Sequence, residues 1–345
     1  MLNSTFEHNK SILNGDIALT VDDVLLVPDY GIVESREEVI EVECLYTAPM
    51  DTVTNLDIYK KAQDSLVCPV LARTYLDQFI NSNQKTGTGF ISIGTSEDDI
   101  YKLRDYVLRT QQKRLFVSID IAHGFSSNGL DQVEALNRLA DSCDVDIGIM
   151  CGSIVTSDAA ISLYECGVRY FRVGIGGGAM CTTRIMTGCG VPNLHAIFNI
   201  FNELKIKKGY KDCVIIADGG IRDPGTVAKY LAAGADCAMI GTAFSGCIDS
   251  PALIIDGKKV QRGQASYEFQ MQYYGKVRNH CAEGVSTAIP IDIEFKDKAA
   301  WFYGGLRSAT SYLGLSSIVD INPHNVKFIR VSPSTVRENN PICMM

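Results

Sequence analysis

The chain has no basic cluster, no Cys-x-x-Cys pair and no apolar run long enough to cross a membrane. Each absence excludes something. With a formal net charge of −8 over 345 residues, nucleic acid is excluded as a partner. Small anionic ligands stay possible, because local backbone dipoles act against the global charge. The twelve cysteines, at 44, 68, 143, 151, 166, 181, 189, 213, 237, 247, 281 and 343, are scattered. Without paired spacing they do not predict a zinc site. Several, such as Cys68 and Cys237, lie inside apolar runs, which predicts reduced, buried thiols in a cytoplasmic protein. Residues 1 to 15 are polar and mixed in charge, unlike a signal peptide. No internal repeat or low-complexity linker breaks the sequence.

What is there is organised around Val173-Gly-Ile-Gly-Gly-Gly-Ala-Met-Cys181-Thr-Thr-Arg184. An apolar run, Tyr170 to Ile175, breaks into four glycines within five residues, then delivers one cysteine and two hydroxyls. Glycines at this density let the backbone approach a ligand closely and adopt φ > 0. Carbonyls of such a loop suit a monovalent cation, and its N–H groups suit an anion. Cys181 at the rim is placed like a nucleophile. The competing reading is a glycine-rich turn followed by a buried free cysteine.

Short apolar runs read as buried parallel strands at Leu45–Met50, Leu66–Ala72, Gly89–Gly94, Leu115–Ile121, Ile147–Gly152, Tyr170–Ile175, Val214–Asp218 and Ala238–Gly241. Helical stretches alternate with them at Asn55–Asp64, Leu76–Ser82, Glu97–Gln111, Gly129–Ser142, Ser157–Cys166, Asn193–Lys207 and Pro224–Ala233. This alternation predicts an α/β fold, a (β/α)8 TIM barrel of one domain over 1–345, with a doubly wound sheet as the alternative. Asp256 to Lys259 reads as a hairpin turn. The polar segment at about 267–290 reads as a flap, Lys296–Leu313 as the closing helix, and 323–345 as an irregular tail with one strand, Val326–Val331.

In such barrels chemistry sits at the C-terminal ends of the strands, and phosphate favours the loops after strands seven and eight. Those ends read Asp218-Gly219-Gly220-Ile-Arg222 and Gly241-Thr242-Ala243. Both offer small residues and free N–H groups beside a helix start. Asp218 is an acceptor for sugar hydroxyls. Strand four ends in Asp120-Ile121-Ala122-His123, and strand one in Met50-Asp51-Thr52. Caps and turns alone explain any one of these loops, and His123 reads first as such a cap. Met50 reads as a pocket wall or as core.

The Gly174-x-Gly-x-Gly-x-x-Cys181-Thr-Thr-Arg184 pattern, with Ile216-Ala-Asp-Gly-Gly-Ile-Arg222, resembles the inosine-monophosphate dehydrogenase and guanosine-monophosphate reductase family. Leu19-Thr-Val-Asp-Asp-Val-Leu-Leu26, Pro49-Met-Asp-Thr-Val53 and Gly304-Gly-Leu-Arg-Ser308 extend the resemblance over nearly the whole chain. It implies a barrel, usually tetrameric, that binds a purine nucleotide and a nicotinamide cofactor. Within the family the chain looks most like a reductase that converts GMP to IMP and ammonia with NADPH. Strands two and three are joined by only Arg73 to Thr88, without the dehydrogenases' regulatory insert. The flap has Arg278-Asn279 and no Arg-Tyr pair to activate water. The Pro49 to Thr54 stretch and the tail Arg337-Glu-Asn-Asn-Pro341 lean toward dehydrogenases, with Arg278 or His280 as substitutes for the missing pair.

The resemblance implies Cys181 as covalent nucleophile, with Thr183 and Glu283 handling ammonia. It implies nucleotide contacts at Asp218, Gly219, Gly220, Gly241 and Thr242, and at Tyr274, Gly275, Lys276 and Gly284 in the flap. Cofactor contacts are implied at Arg73, Asp120, Ile121, Ala122, Ile175 and Gly176, and at Ser308, Ala309, Thr310 and Ser311. Potassium is implied on the carbonyls of Gly176, Gly178 and Cys181. The chain departs from the pattern at Ala179, where a phosphate-binding Ser is common, and at Ser153, where an Asn is usual. The flap, Lys276-Val-Arg-Asn-His280, is also shorter and differently composed, and with Ala179 it leaves open a third reading, a non-catalytic purine-nucleotide-binding relative.

Overall fold

The computed structural model describes residues 2–277 and 281–338. The flap residues 278–280 and the tail beyond 338, both weighed above, lie outside the described residues.

Strand β1 (Val24–Leu26) precedes the barrel. Strands β2 (Leu45–Thr47), β3 (Val67–Cys68), β4 (Val70–Leu71), β5 (Phe90–Ile93) and β6 (Arg114–Asp120) follow. With β7 (Asp146–Ile154), β8 (Tyr170–Val173), β9 (Val214–Asp218) and β10 (Cys237–Ile240) they form one nine-stranded sheet. All pairings in it are parallel, and β10 pairs with β2. β3 and β4 are two halves of one stave interrupted at Pro69, whose missing N–H breaks the ladder. Joined, they give the eight staves of a (β/α)8 barrel, and the doubly wound alternative fails because the sheet closes on itself.

The helices start where side chains cap them. Ser96 accepts from the Asp98 amide ahead of Glu97–Thr110, whose first turn is acidic. Thr156 accepts from the Ala159 amide ahead of Ser157–Glu165. Asp223 caps Pro224–Ala232, with proline where no N–H partner is needed. The Asn193–Lys207 stretch is α-helical only to Phe201, then continues as a π turn over Asn202–Lys207.

Parity along the staves divides the core. Leu45, Val67, Leu71, Ile91, Val117, Phe171 and Ala238 face the helices. Tyr46, Cys68, Val70, Phe90, Phe116, Met150, Ile216 and Met239 fill the barrel interior. The same alternation places Ser92, Ser118, Asp120, Arg172 and Asp218 inward, nearer the C-terminal rim.

Above that rim lies a three-stranded antiparallel sheet of β11 (Leu253–Ile255), β12 (Lys258–Arg262) and β13 (Ser286–Ile289). Asp256 and Gly257 turn the β11–β12 hairpin with φ of 49° and 70°, the primed-turn conformation. The flap segment opens with a helix, Tyr267–Tyr274. The tail strand is β14 (Phe328–Arg330), paired with β1. The polar N-terminus forms a helix, Leu2–Leu13, where Asn9 donates to the carbonyls of Pro323 and Val326. Among the described residues no helix is long and apolar enough to cross a membrane.

Candidate functional site

The glycine loop is shaped by close approaches that no other residue allows. Gly174 has φ +150°, and a Cβ there would lie 2.0 Å from the Asp218 carbonyl oxygen. Gly176 has φ +73° and wraps the Arg184 side chain. Arg184 donates from Nε to the Ile175 carbonyl at 2.9 Å and from Nη2 to the Val191 carbonyl at 2.7 Å. Asn193 donates to the Asp218 carbonyl at 2.8 Å, so the loop is tied to the end of β9.

That scaffold presents Cys181, half-buried, with its amide donating to Gly178 O at 3.0 Å. Its Sγ lies 3.1 Å from Thr183 Oγ1, at the start of a short helix, Thr183–Thr187. Cys181 pairs antiparallel with Gly284. Thr182 N–H donates to Glu283 O at 2.9 Å, and Val285 N–H to Met180 O at 3.0 Å. The ladder thus sets the Cys181–Thr183 segment against Glu283, about a hundred residues further along the chain.

Beside it, Arg172 rises from β8 inside the barrel, with 9% of its side chain exposed. Its Nη1 donates to Asp120 Oδ1 at 2.7 Å, and its Nε and Nη2 donate to Asp218 Oδ2 at 3.2 and 2.9 Å. Burial by itself would lower the Arg172 pKa; the Asp218 and Asp120 carboxylates outweigh it and raise it, so the guanidinium stays charged. Two carboxylates against one guanidinium leave a net negative charge there. Asp120 Oδ2 is buried without a protein partner.

Two cavities meet at this point. The first, of about 940 Å³, is lined by Met50, Gly219, Gly220, Gly241, Thr242 and Gly284. The second, of about 730 Å³, is lined by Arg73, Ile121, Ala122, Ile175, Gly176 and Tyr274. Asp120, Arg172, Cys181, Asp218 and Glu283 line both. Of the expected nucleotide residues, Tyr274 therefore opens on the second cavity, while Gly275 and Lys276 line neither. Ser308, Ala309, Thr310 and Ser311 also line neither within one chain. They sit on the closing helix, Phe295–Tyr312, where Thr310 is buried with its hydroxyl donating to Leu306 O. His123 also lines neither cavity; its carbonyl accepts from the helix-capping Ser126. Ser153 lines the second cavity and Ala179 the first.

Four residues escaped sequence reasoning. Arg172 was legible in principle, as the one charge inside an otherwise apolar strand. Gln261 donates to Thr242 Oγ1 at 2.9 Å, and its Oε1 is buried without a partner. Gln264 donates to the Pro49 carbonyl, and Arg262 pairs with Asp51. Local pattern carries no signal for these three: the partners of Gln264 and Arg262 lie 215 and 211 residues away, and Gln261 meets Thr242 only across the turn of the chain from the barrel rim to β12.

A barrel with a glycine-presented cysteine at its C-terminal rim, between two cavities, has its reactive side chain where barrel enzymes carry their chemistry. The chain belongs to the IMP dehydrogenase / GMP reductase family, whose domain matches residues 80–342. It is similar to an inosine-5′-monophosphate dehydrogenase of Borreliella burgdorferi, with 35% identity over 237 residues, 65% of this chain and 56% of that protein. A GMP reductase of Leishmania donovani is 36% identical over 235 residues, 64% of this chain and 46% of that protein. Over these matches the chain spans about half the length of the relatives. A GMP reductase of Buchnera aphidicola is 28% identical over 342 residues, 92% of this chain and 95% of that protein.

Proposed function

We propose that the protein is a GMP reductase, which converts GMP to IMP and ammonia with NADPH. The observation that carries this reading is the Cys181–Thr183–Glu283 ladder, with Sγ and Oγ1 at 3.1 Å and Glu283 beside both cavities. Support also comes from the near full-length likeness to the Buchnera GMP reductase and from the short connection between β4 and β5.

The reaction divides into two steps. Cys181 Sγ attacks purine C2, the S–C2 bond forms as the C2–N bond breaks, and the amino group leaves as ammonia. The proton that ammonia needs passes by way of the Thr183 hydroxyl, relayed by the Glu283 carboxyl. Bound NADPH would supply a hydride to C2. As C2 gains that hydride, the S–C2 bond breaks and Cys181 leaves as a thiolate, giving IMP.

The nucleotide lies in the first cavity, with its ribose toward Asp218 and its phosphate on the amides around Gly220 and Gly241. The second cavity fits the cofactor, because Arg73 and Asp120 line it and each keeps a buried polar atom, Nε and Oδ2, without a protein partner. A guanidinium at Arg73 suits the additional phosphate of NADPH. The carbonyls of Gly176, Gly178 and Cys181 would supply oxygen donors to a potassium ion, which would hold the loop in its cysteine-presenting form. A tetrameric assembly and a cytoplasmic location belong to the same reading.

GMP-dependent loss of NADPH absorbance, with IMP as product, tests it. No turnover of GMP alongside NAD reduction with IMP would overturn it. That second outcome is a dehydrogenase that forms XMP, a reading favoured by the Pro49–Val53 loop and by the Borreliella relative. Tight GMP binding with neither reaction would identify a non-catalytic relative.

A further inference from the structure

Asp51 and Arg262 form a largely buried ion pair, next in sequence to Met50 and Gly263, which line the first cavity. Asp51 sits in the turn after β2, with 9% of its side chain exposed, and Arg262 ends β12 with 18% exposed. Arg262 Nε donates to Asp51 Oδ2 at 2.8 Å, and Nη2 reaches the same oxygen. Its Nη1 donates to Gln272 Oε1 at 2.6 Å, and its guanidinium lies 5.6 Å from the Phe269 ring, both on the flap helix. The next residues reinforce the link, since Gln264 donates to the Pro49 carbonyl.

From Arg262 a short chain of backbone contacts leads to the reactive cysteine. Arg262 is the register partner of Ser286 in β13. Gly263 N–H donates to Val285 O at 3.1 Å, and Val285 N–H donates to Met180 O at 3.0 Å. Gly284 pairs with both Cys181 and Ser266. Among these contacts, the Asp51–Arg262 pair is the ionic tie between the rim of the first barrel strand and the hairpin that carries Glu283.

We infer that the Asp51–Arg262 pair is a latch that positions Glu283 against Cys181 and Thr183. Neither residue needs to touch the reacting atoms; both act as positioning residues through the Gly263–Val285 and Val285–Met180 bonds. A latch is needed because Glu283 stands on a segment held mainly by isolated backbone bonds rather than by a long strand. The ion pair to Asp51, with the hydrogen bond to Gln272 on the flap helix, fixes where that segment lies. The chemical effect assigned to the latch rests on the reductase reading; its mechanical effect on Cys181 does not.

The test uses the full chain and four forms: Asp51→Asn, Arg262→Met, Arg262→Lys and the Asp51→Asn, Arg262→Met double variant. Loosening the ladder uncovers Cys181, so its alkylation by iodoacetamide, read by peptide mass spectrometry without substrate, is expected to rise about 5- to 30-fold in Asp51→Asn and Arg262→Met. The double variant is expected to match the single variants rather than multiply them, because one link is broken either way. GMP turnover is expected to show kcat lowered about 10²-fold with KM little changed, as for misplacement of a reacting group, and Arg262→Lys to recover part of it. Unchanged alkylation of Cys181 in both single variants, or multiplicative effects in the double variant, overturns the latch. If the wild-type protein instead oxidises IMP with NAD, the reductase reading fails, and the alkylation series still decides the latch. Should Arg262→Met not fold, Asp51→Asn with Arg262→Lys carries the same comparison.

Discussion

Arg172 Nη1 donates to Asp120 Oδ1 at 2.7 Å inside the barrel mouth, while the same guanidinium holds Asp218 Oδ2. The acceptor expected for the nucleotide's ribose and the acceptor expected for the cofactor are therefore joined through one buried cation.

Removing that cation leaves the buried Asp120 and the half-buried Asp218 carboxylates uncompensated. Arg172→Met is expected to cost about 3–5 kcal/mol of folding stability, the range for breaking a buried pair from one side. Guanidinium chloride unfolding checks this, and a cost under about 1 kcal/mol, no more than an exposed pair is worth, would contradict the burial argument.

Cys181→Ala should abolish ammonia release and hydride transfer while leaving nucleotide binding intact. Glu283→Gln should slow deamination by ~10² to 10⁴, the usual range for a general acid–base group. It should still give a single-turnover burst of NADPH from IMP and NADP, because hydride movement needs positioning rather than a proton. Loss of that burst with binding intact would make Glu283 common to both steps.

Two glycines separate loop shape from loop freedom. Gly188 has φ +70° with nothing within 4 Å of an added Cβ, so Gly188→Ala should cost about 1–2 kcal/mol, the left-handed penalty alone. Gly174→Ala meets the Asp218 carbonyl at 2.0 Å, so it should displace the β9 end and eliminate turnover. Equal activity in the two variants would show that the close approach is dispensable.

Asp99 accepts the Gly94 amide at 2.9 Å near the second cavity, but burial dominates and raises its pKa. The native state then binds its proton more readily than the unfolded chain. Its stabilising contribution is full below the unfolded value and is lost as pH rises through the raised one. Stability of Asp99→Asn relative to wild type should therefore improve as pH rises from about 4 toward neutrality, a window that starts at the ordinary carboxylate value. Urea melts at several pH values measure it, and a pH-independent difference would refute it.

Much of this protein was settled by local sequence. Apolar runs of strand length, alternating with capped amphipathic helices, are enough for a barrel, because period and length are properties of the chain itself. Glycine density followed by Cys181 marked the loop, since close backbone approach leaves a compositional trace. Boundaries were less legible: Pro69 divides one stave in two, and Asn193–Lys207 changes its helical pitch at Asn202. Tertiary structure alone decided which distant residues meet. The β1–β14 pair, the Arg172 bridge between Asp120 and Asp218, and the Asp51–Arg262 pair all depend on closure of the barrel. A charged side chain finds its partner by the geometry of the closed fold, and one-dimensional pattern does not encode contacts across two hundred residues.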